Sequence, residues 1–251
     1  SAELAQVGAK IDSIRKWTVN TFKNTKQQVF EQLGKIGRTI DPEFDSECER
    51  LKELHRRYGG VVGSAQCLVN VFEQQAAAEK ALAESLYQLS LKEQQVKTQC
   101  GILGESLRKL GENASRLQGC LKFFLSSMVT VYEKSIADTL ETMYTAEQAR
   151  IEYDVARHEA AALQSNPTAA AASVIGAKEK EDALKERYQG FKEDVKVKLR
   201  LLEENRIGVL TARLDKLQAA LAAYFSGNAT ELALSVEELR EISPAASSFL
   251  Q

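Results

Sequence analysis

Proline is almost missing from this chain. Its 251 residues hold three, Pro42, Pro167 and Pro244, and none falls between Glu43 and Asn166. A proline inside a helix removes a backbone donor and clashes with the preceding turn. Its absence therefore leaves a long stretch open to uninterrupted helix. Glycine is scarce too, with fourteen residues. No run of about eighteen apolar residues occurs, so no spanning helix is expected. The first residues lack the apolar core of a secretory signal. Neither sign of charge dominates, since 33 basic residues face 35 acidic ones, and the net charge of −2 gives no case for nucleic acid.

The residues that build reactive centres are equally sparse. The two histidines, His55 and His158, lie far apart, so no metal site is expected. Cys48, Cys67, Cys100 and Cys120 are scattered without a CxxC pair, which fits a reducing compartment on the cytosolic side and a role as core fillers. The phosphate-cradling GxxxxGK[ST], the zinc-binding HExxH and the nucleophile turn GxSxG are all absent. Glu203-Glu204 and Glu237-Glu238 are neighbours in sequence, not facing pairs, and read as solvated helix positions. No catalytic activity and no cofactor is expected. His55 reads as a hydrogen-bonded core or interface residue and His158 as a surface one.

What the chain does have is helical periodicity. Leu103, Leu107, Leu110, Ala114, Leu117, Leu121, Phe124, Met128 and Val131 follow a 3-4 spacing that places one stripe on one helix face. A helix over about 105–163 would be roughly 85–90 Å long. A first helix is expected from about Pro42 to Thr98, with Asp41 as N-cap and Pro42 in its first turn. Its stripe runs through Phe44, Cys48, Leu51, His55, Tyr58, Val62, Ala65, Val69, Phe72 and Ala76 to Ala83 and Leu86. Gly59, Gly60 and Gly63 within it mark either a softened turn or the close approach of another helix. Gly101 and Gly104 suggest a break at 100–104, and Asn166-Pro167 a second at 164–176. A third helix is expected over about 170–225, stopped by Ser226-Gly227-Asn228, with a short amphipathic helix over 229–241. The fold class is all-α, a long antiparallel three-helix coiled-coil bundle. Leu125, Val129, Leu54, Val61 and Leu68 lie off the main stripes, and such surplus apolar surface argues for a homodimer.

Residues 1–38 carry seven cations against three anions. The only tryptophan, Trp17, lies among them in Arg15-Lys16-Trp17. Ile14 and Phe22 share an apolar helical face flanked by Lys16, Lys23 and Lys26, the pattern of an interfacial helix on an anionic membrane. The alternative is that this segment packs on the rod. A second cluster, Lys178, Lys180, Lys185 and Arg187, is interleaved with acids. It reads as a solvated face of i,i+4 pairs or as a strip that meets phosphate headgroups.

Five blocks resemble the arfaptins. They are Arg15-Lys16-Trp17 through Asn20-Thr21, Leu33-Gly34 with Arg38-Thr39-Ile40-Asp41, Ala149-Arg150-Ile151-Glu152-Tyr153-Asp154, Val197-Lys198-Leu199 with Leu202-Glu203-Glu204-Asn205, and Ala223-Tyr224-Phe225-Ser226-Gly227-Asn228. The resemblance implies a BAR-type (arfaptin-homology) domain over 42–242, preceded by an amphipathic segment 1–41 and followed by a tail 243–251. It implies a crescent-shaped homodimer, GTP-loaded small GTPases of the Arf, Arl and Rac types as partners, and curved membranes bearing phosphatidylinositol 4-phosphate at the trans-Golgi. Lys16, Trp17, Phe22 and Lys23 match the lipid-sensing segment, and residues 164–176 the crescent tip. Where arfaptins carry a serine whose phosphorylation would weaken membrane attachment, this chain has Gly37. The tip is alanine-rich, from Ala169 to Ala172.

Overall fold

The computed structural model describes residues 37–242, and within them the chain is all helix and short connections. Helix α1 spans Pro42–Ser90, α2 Lys97–Thr130, α3 Ala137–Gln164 and α4 Ala171–Ile242. A single π-helical turn, Val131–Ile136, joins α2 to α3 without a break, so three long helices result. Asp41 caps α1 as expected, its Oδ1 accepting the Phe44 amide at 3.1 Å. Pro42 opens the helix, where its missing N–H costs nothing.

The first reversal lies earlier than the glycines suggested. α1 ends at Ser90, whose hydroxyl donates to the Tyr87 carbonyl at 2.7 Å, and a 3₁₀ turn, Gln94–Val96, leads into α2. Gly101 and Gly104 are inside α2. A Cβ on Gly104 would lie 3.7 Å from the Ala83 carbonyl, and one on Gly111 3.6 Å from that of Ala76. These glycines let two helices approach closely; they do not interrupt one. Ser226-Gly227-Asn228 likewise fails to stop α4, which continues to Ile242. Asn228 is buried there and accepts the Asn113 side-chain amide at 2.8 Å. The second reversal falls at 165–170, as expected.

The described residues form two units, 37–59 with 129–207 and 60–128 with 208–242. Each contains a piece of all three long helices. In the first, Phe44, Leu51, Tyr58, Val131, Ile136, Leu140, Met143, Val195 and Leu202 are buried. In the second, Val62, Val69, Phe72, Ala114, Leu117, Leu121, Phe124, Leu125, Met128 and Tyr224 are buried. The stripe read from Leu103 is thus core from Ala114 onward, while Leu103 itself is 45% exposed. Leu125, read as surplus, is core at 3%, whereas Val61 and Leu68 stay exposed. In the third helix Ile207 and Leu214, read as stripe, are exposed.

The glycines of α1 separate into two kinds. A Cβ on Gly59 would meet the Tyr132 ring at 3.4 Å, but Gly60 and Gly63 face open space. The helix passes through all three unbroken. Tyr132 belongs to the π turn and stacks on His55 with ring centroids 4.4 Å apart. His55 is buried as expected, but its Nε2 has no hydrogen-bond partner. The thiols also divide. Cys100 is buried and Cys48 half-buried, while Cys67 and Cys120 are exposed and so are not core fillers.

Candidate lipid- and partner-binding surfaces

The most elaborate polar arrangement in the structure holds down the segment immediately before α1. Arg150 and Asp154 lie one turn apart on α3, the spacing that lets a guanidinium meet a carboxylate. Here both are buried, at 1% and 0% exposure. Arg150 Nη1 donates to Asp154 Oδ2 at 2.7 Å, and Nη2 to Glu147 Oε1 at 2.6 Å. Burial works against the charged guanidinium, but the Glu147 bond and the charges of Glu147 and Asp154 prevail and hold its pKa above the ordinary value. Asp154 accepts in addition the Thr39 amide at 3.0 Å, the Thr39 hydroxyl, and an ion pair from Arg157 at 3.1 Å. A buried carboxylate with this many donors is satisfied.

The clasp continues on both sides of Thr39. The Gly37 carbonyl accepts from Arg157 Nη2 and lies 3.0 Å from His158 Nε2. His158, read from the sequence as a surface residue, is therefore a structural contact. Arg38 pairs with Asp45, and Lys192 of α4 pairs with Asp41. The Lys192 hydrogen bond outweighs burial and lowers the Asp41 pKa. Tyr188, packed with Ala149 and Tyr153, is pushed up to about 12 by burial and next by the Asp41 charge. The clasp fixes where residues 1–36 join the helical body. Sequence reasoning had no local signal for it, because Thr39 and Asp154 are 115 residues apart.

The residues assigned to membrane contact fall in two groups. Ile14, Lys16, Trp17, Phe22, Lys23 and Lys26 lie outside the described residues. Lys178, Lys180, Lys185 and Arg187 are exposed on α4. Three of these carry ion pairs: Lys178 with Glu181 at 2.8 Å and Asp182 at 3.5 Å, Lys180 with Glu159 at 2.9 Å, and Arg187 with Glu152 at 2.5 Å. The structure thus places this strip along α4 with its charge largely matched by acids. Among the described residues no helix is long and apolar enough to cross a membrane, and no cluster of three or more His, Cys, Asp or Glu could hold a metal.

Both halves of the clasp come from blocks that resemble one family, Arg38-Thr39-Ile40-Asp41 and Ala149 to Asp154, and the fold brings them together. The family model of the Arfaptin-like domain matches residues 7–232. The chain belongs to the arfaptin family. Arfaptin-1 of Mus musculus is 34% identical over 233 residues, which cover 91% of this chain and 62% of that protein. Arfaptin-1 of Homo sapiens is 34% identical over 225 residues, covering 89% of this chain and 60% of that protein. Arfaptin-2 of Homo sapiens is 33% identical over 233 residues, covering 92% of this chain and 68% of that protein. The chain therefore spans about three fifths of the Arfaptin-1 relatives it matches. A Cβ on Gly37 would lie 3.9 Å from the His158 ring, an ordinary contact.

Proposed function

We propose that this arfaptin-family chain is a dimeric BAR-type scaffold, with its domain over 42–242, that binds anionic, curved membranes and is recruited by an active small GTPase. The observation that carries this reading is the family match itself, which runs from residue 7 and so takes in the basic segment ahead of α1. On this reading Ile14, Lys16, Trp17, Phe22, Lys23 and Lys26 form the lipid-contacting face. Apolar side chains enter the headgroup region while lysines meet anionic lipid. The clasp holds Gly37–Asp41, next to that segment in the chain, against α3 and α4. The GTPase, of the Arf, Arl or Rac type, supplies location, and phosphatidylinositol 4-phosphate at the trans-Golgi is the lipid.

Dimerisation is supported by the part of α1 in the second unit, where Val61, Leu68, Val71, Leu82, Tyr87 and Leu89 are exposed. That much apolar surface on a regular helix invites a second copy. The test is vesicle pelleting. Vesicles rich in phosphatidylinositol 4-phosphate should sediment the chain, and Lys16→Glu with Trp17→Ala should abolish this. Pelleting that is absent, or unchanged in the variant, refutes the lipid role. Sedimentation of a single 27.8 kDa species at micromolar concentration refutes the dimer.

A second reading, a GTPase-binding adaptor without a lipid role, is favoured by one observation. The cations Lys178, Lys180 and Arg187 are already paired with acids, which leaves little net charge on that strip. Capture by GTP-loaded but not GDP-loaded Arf, Arl or Rac proteins, with no vesicle binding, selects it.

A further inference from the structure

The π turn is the one irregular stretch between α2 and α3, and such turns are rare and recur at functional positions. An aromatic pair is packed on it. His55 of α1 is 9% exposed and lies nearly flat on Tyr132, with ring centroids 4.4 Å and planes 22° apart. Tyr132 belongs to the turn and is 2% exposed. Gly59, one turn along α1 from His55, makes room for it, since a Cβ there would meet the Tyr132 ring and hydroxyl at 3.4 Å. All of these residues belong to the first unit.

The stack suits a neutral imidazole and not a charged one. His55 Nε2 is buried and has no hydrogen-bond partner among the described residues. A neutral ring can keep its proton on Nδ1 and leave a bare lone pair at Nε2. An imidazolium would place an N–H there with nothing to receive it. The neighbouring charges do not supply an acceptor. On α1, Glu53 is engaged by Arg56 and Arg57. On α4, Arg206 pairs with Glu203 at 2.5 Å, has the Tyr58 hydroxyl beside it, and is itself only a donor. The turn carries Lys134 and Glu133, and Glu133 Oε1 is buried without a partner of its own. Burial alone lowers the proton affinity of His55, and no charge offsets it.

We propose that the His55–Tyr132 stack is a proton-released latch, which keeps the π turn closed while the imidazole is neutral and frees it when the imidazole is protonated. The charged ring moves toward water, Tyr132 loses its cover, and the turn opens while the helices on either side stay formed. The closed turn excludes the charged ring, so the latch holds above the ordinary histidine pKa of about 6.5 and is lost as pH falls through it. If only the open turn takes up the proton, a drop from pH 7.5 to 5.5 raises the ratio of open to closed by up to about tenfold. The device is local to the turn and independent of the lipid and GTPase readings.

The test is native-state hydrogen exchange of the full chain in low urea, read by mass spectrometry on peptides that cover 131–136 and 55–62. Exchange is corrected for the intrinsic effect of pH. Between pH 7.5 and 5.5 opening at both peptides should rise by up to about tenfold. It should depend little on urea, the mark of a local event. His55→Phe keeps a ring on Tyr132 without the titrating nitrogen, and its opening should stay constant over the same range. His55→Gln gives the same reading without a ring, should the phenylalanine fail to pack. Glu133→Gln should keep the full response of the parent, which separates the imidazole from the buried carboxylate next to Tyr132. Circular dichroism of the parent should show the same helix content at both pH values. Opening that ignores pH overturns the proposal, as does an equal response in the His55 variants or a response lost in Glu133→Gln. So does exchange that carries the full urea slope, because it reports only global unfolding.

Discussion

Replacing Asp154 by Asn keeps its shape and removes its charge, and it should be among the most damaging single changes in the chain. Asp154 is wholly buried and serves Arg150, Arg157 and both polar groups of Thr39. Losing one partner of a buried ion pair costs about 3–5 kcal/mol because the other charge is left without compensation. Arg150 keeps Glu147 at 2.6 Å, so the low end applies, about 3 kcal/mol. Thr39→Val removes one hydroxyl donor to a carboxylate and leaves the Arg150–Asp154 pair intact, for about 1.5 kcal/mol. Replacing the pair together, Arg150→Met with Asp154→Leu, removes both buried charges; it also takes the acceptor from the Thr39 amide and hydroxyl and a partner from the more exposed Arg157 and Glu147, which water can reach. That double variant should cost less than Asp154→Asn alone. Urea unfolding at neutral pH, followed by circular dichroism, reads these differences as shifts in midpoint at constant slope. Limited proteolysis should cut Thr39→Val faster near residues 37–41 while the helical body survives. The reasoning fails if Asp154→Asn costs under about 1 kcal/mol, or if the double variant costs as much as Asp154→Asn.

Acidification should weaken the fold through His55, whose pKa burial lowers below its usual 6.5. The neutral ring is the folded form, so stability is full above that value and falls as the unfolded chain takes up a proton below it. Between pH 7.5 and 5.5 the urea midpoint of the parent should drop further than that of His55→Phe; equal drops would exclude His55 as the cause. Cys48 should resist alkylation at pH 8, since burial pushes its thiol up to about 12. Mass spectrometry after a short iodoacetamide pulse should find Cys48 unmodified until urea unfolds the chain, and rapid labelling of the native chain would contradict this.

The periodic part of the fold was legible because burial follows spacing. Ala114 to Met128 on α2 and Phe44 to Phe72 on α1 repeat at three and four residues, and almost every one is buried. The reversals were less legible, because glycine has two uses. Gly104 and Gly111 admit a neighbouring helix, and a sequence cannot distinguish that from a break without knowing what stands opposite. Leu91 to Glu93, where the chain does turn, carries neither glycine nor proline. Asn228 was misread for a similar reason, as asparagine ends many helices but here fills a buried amide pair with Asn113. Of the candidate sites, the charges on α4 were legible and their partners were not. Glu159 and Glu152 are 21 and 35 residues from the cations they neutralise. The clasp was visible only as two blocks that resembled the same family, since chemistry across so long a separation leaves no local pattern.

The π-helical turn at Val131–Ile136 gives the chain something akin to a reading frame. Val131, Tyr132 and Ile136 of the turn are all buried, and the i→i+5 bonding of a π turn carries one residue more than an α turn. The extra residue resets the phase, so that Ile136, Leu140 and Met143 face inward after it. Deleting one residue there would rotate every later position of α3 by roughly 100° relative to the Tyr132–His55 contact. Arg150 and Asp154 would turn away from Thr39 with their own chemistry intact. Substitutions in this turn can be absorbed one side chain at a time, but a change of length cannot. The spacing between Tyr132 and Asp154 is thus as much a determinant of the clasp as the residues that make it.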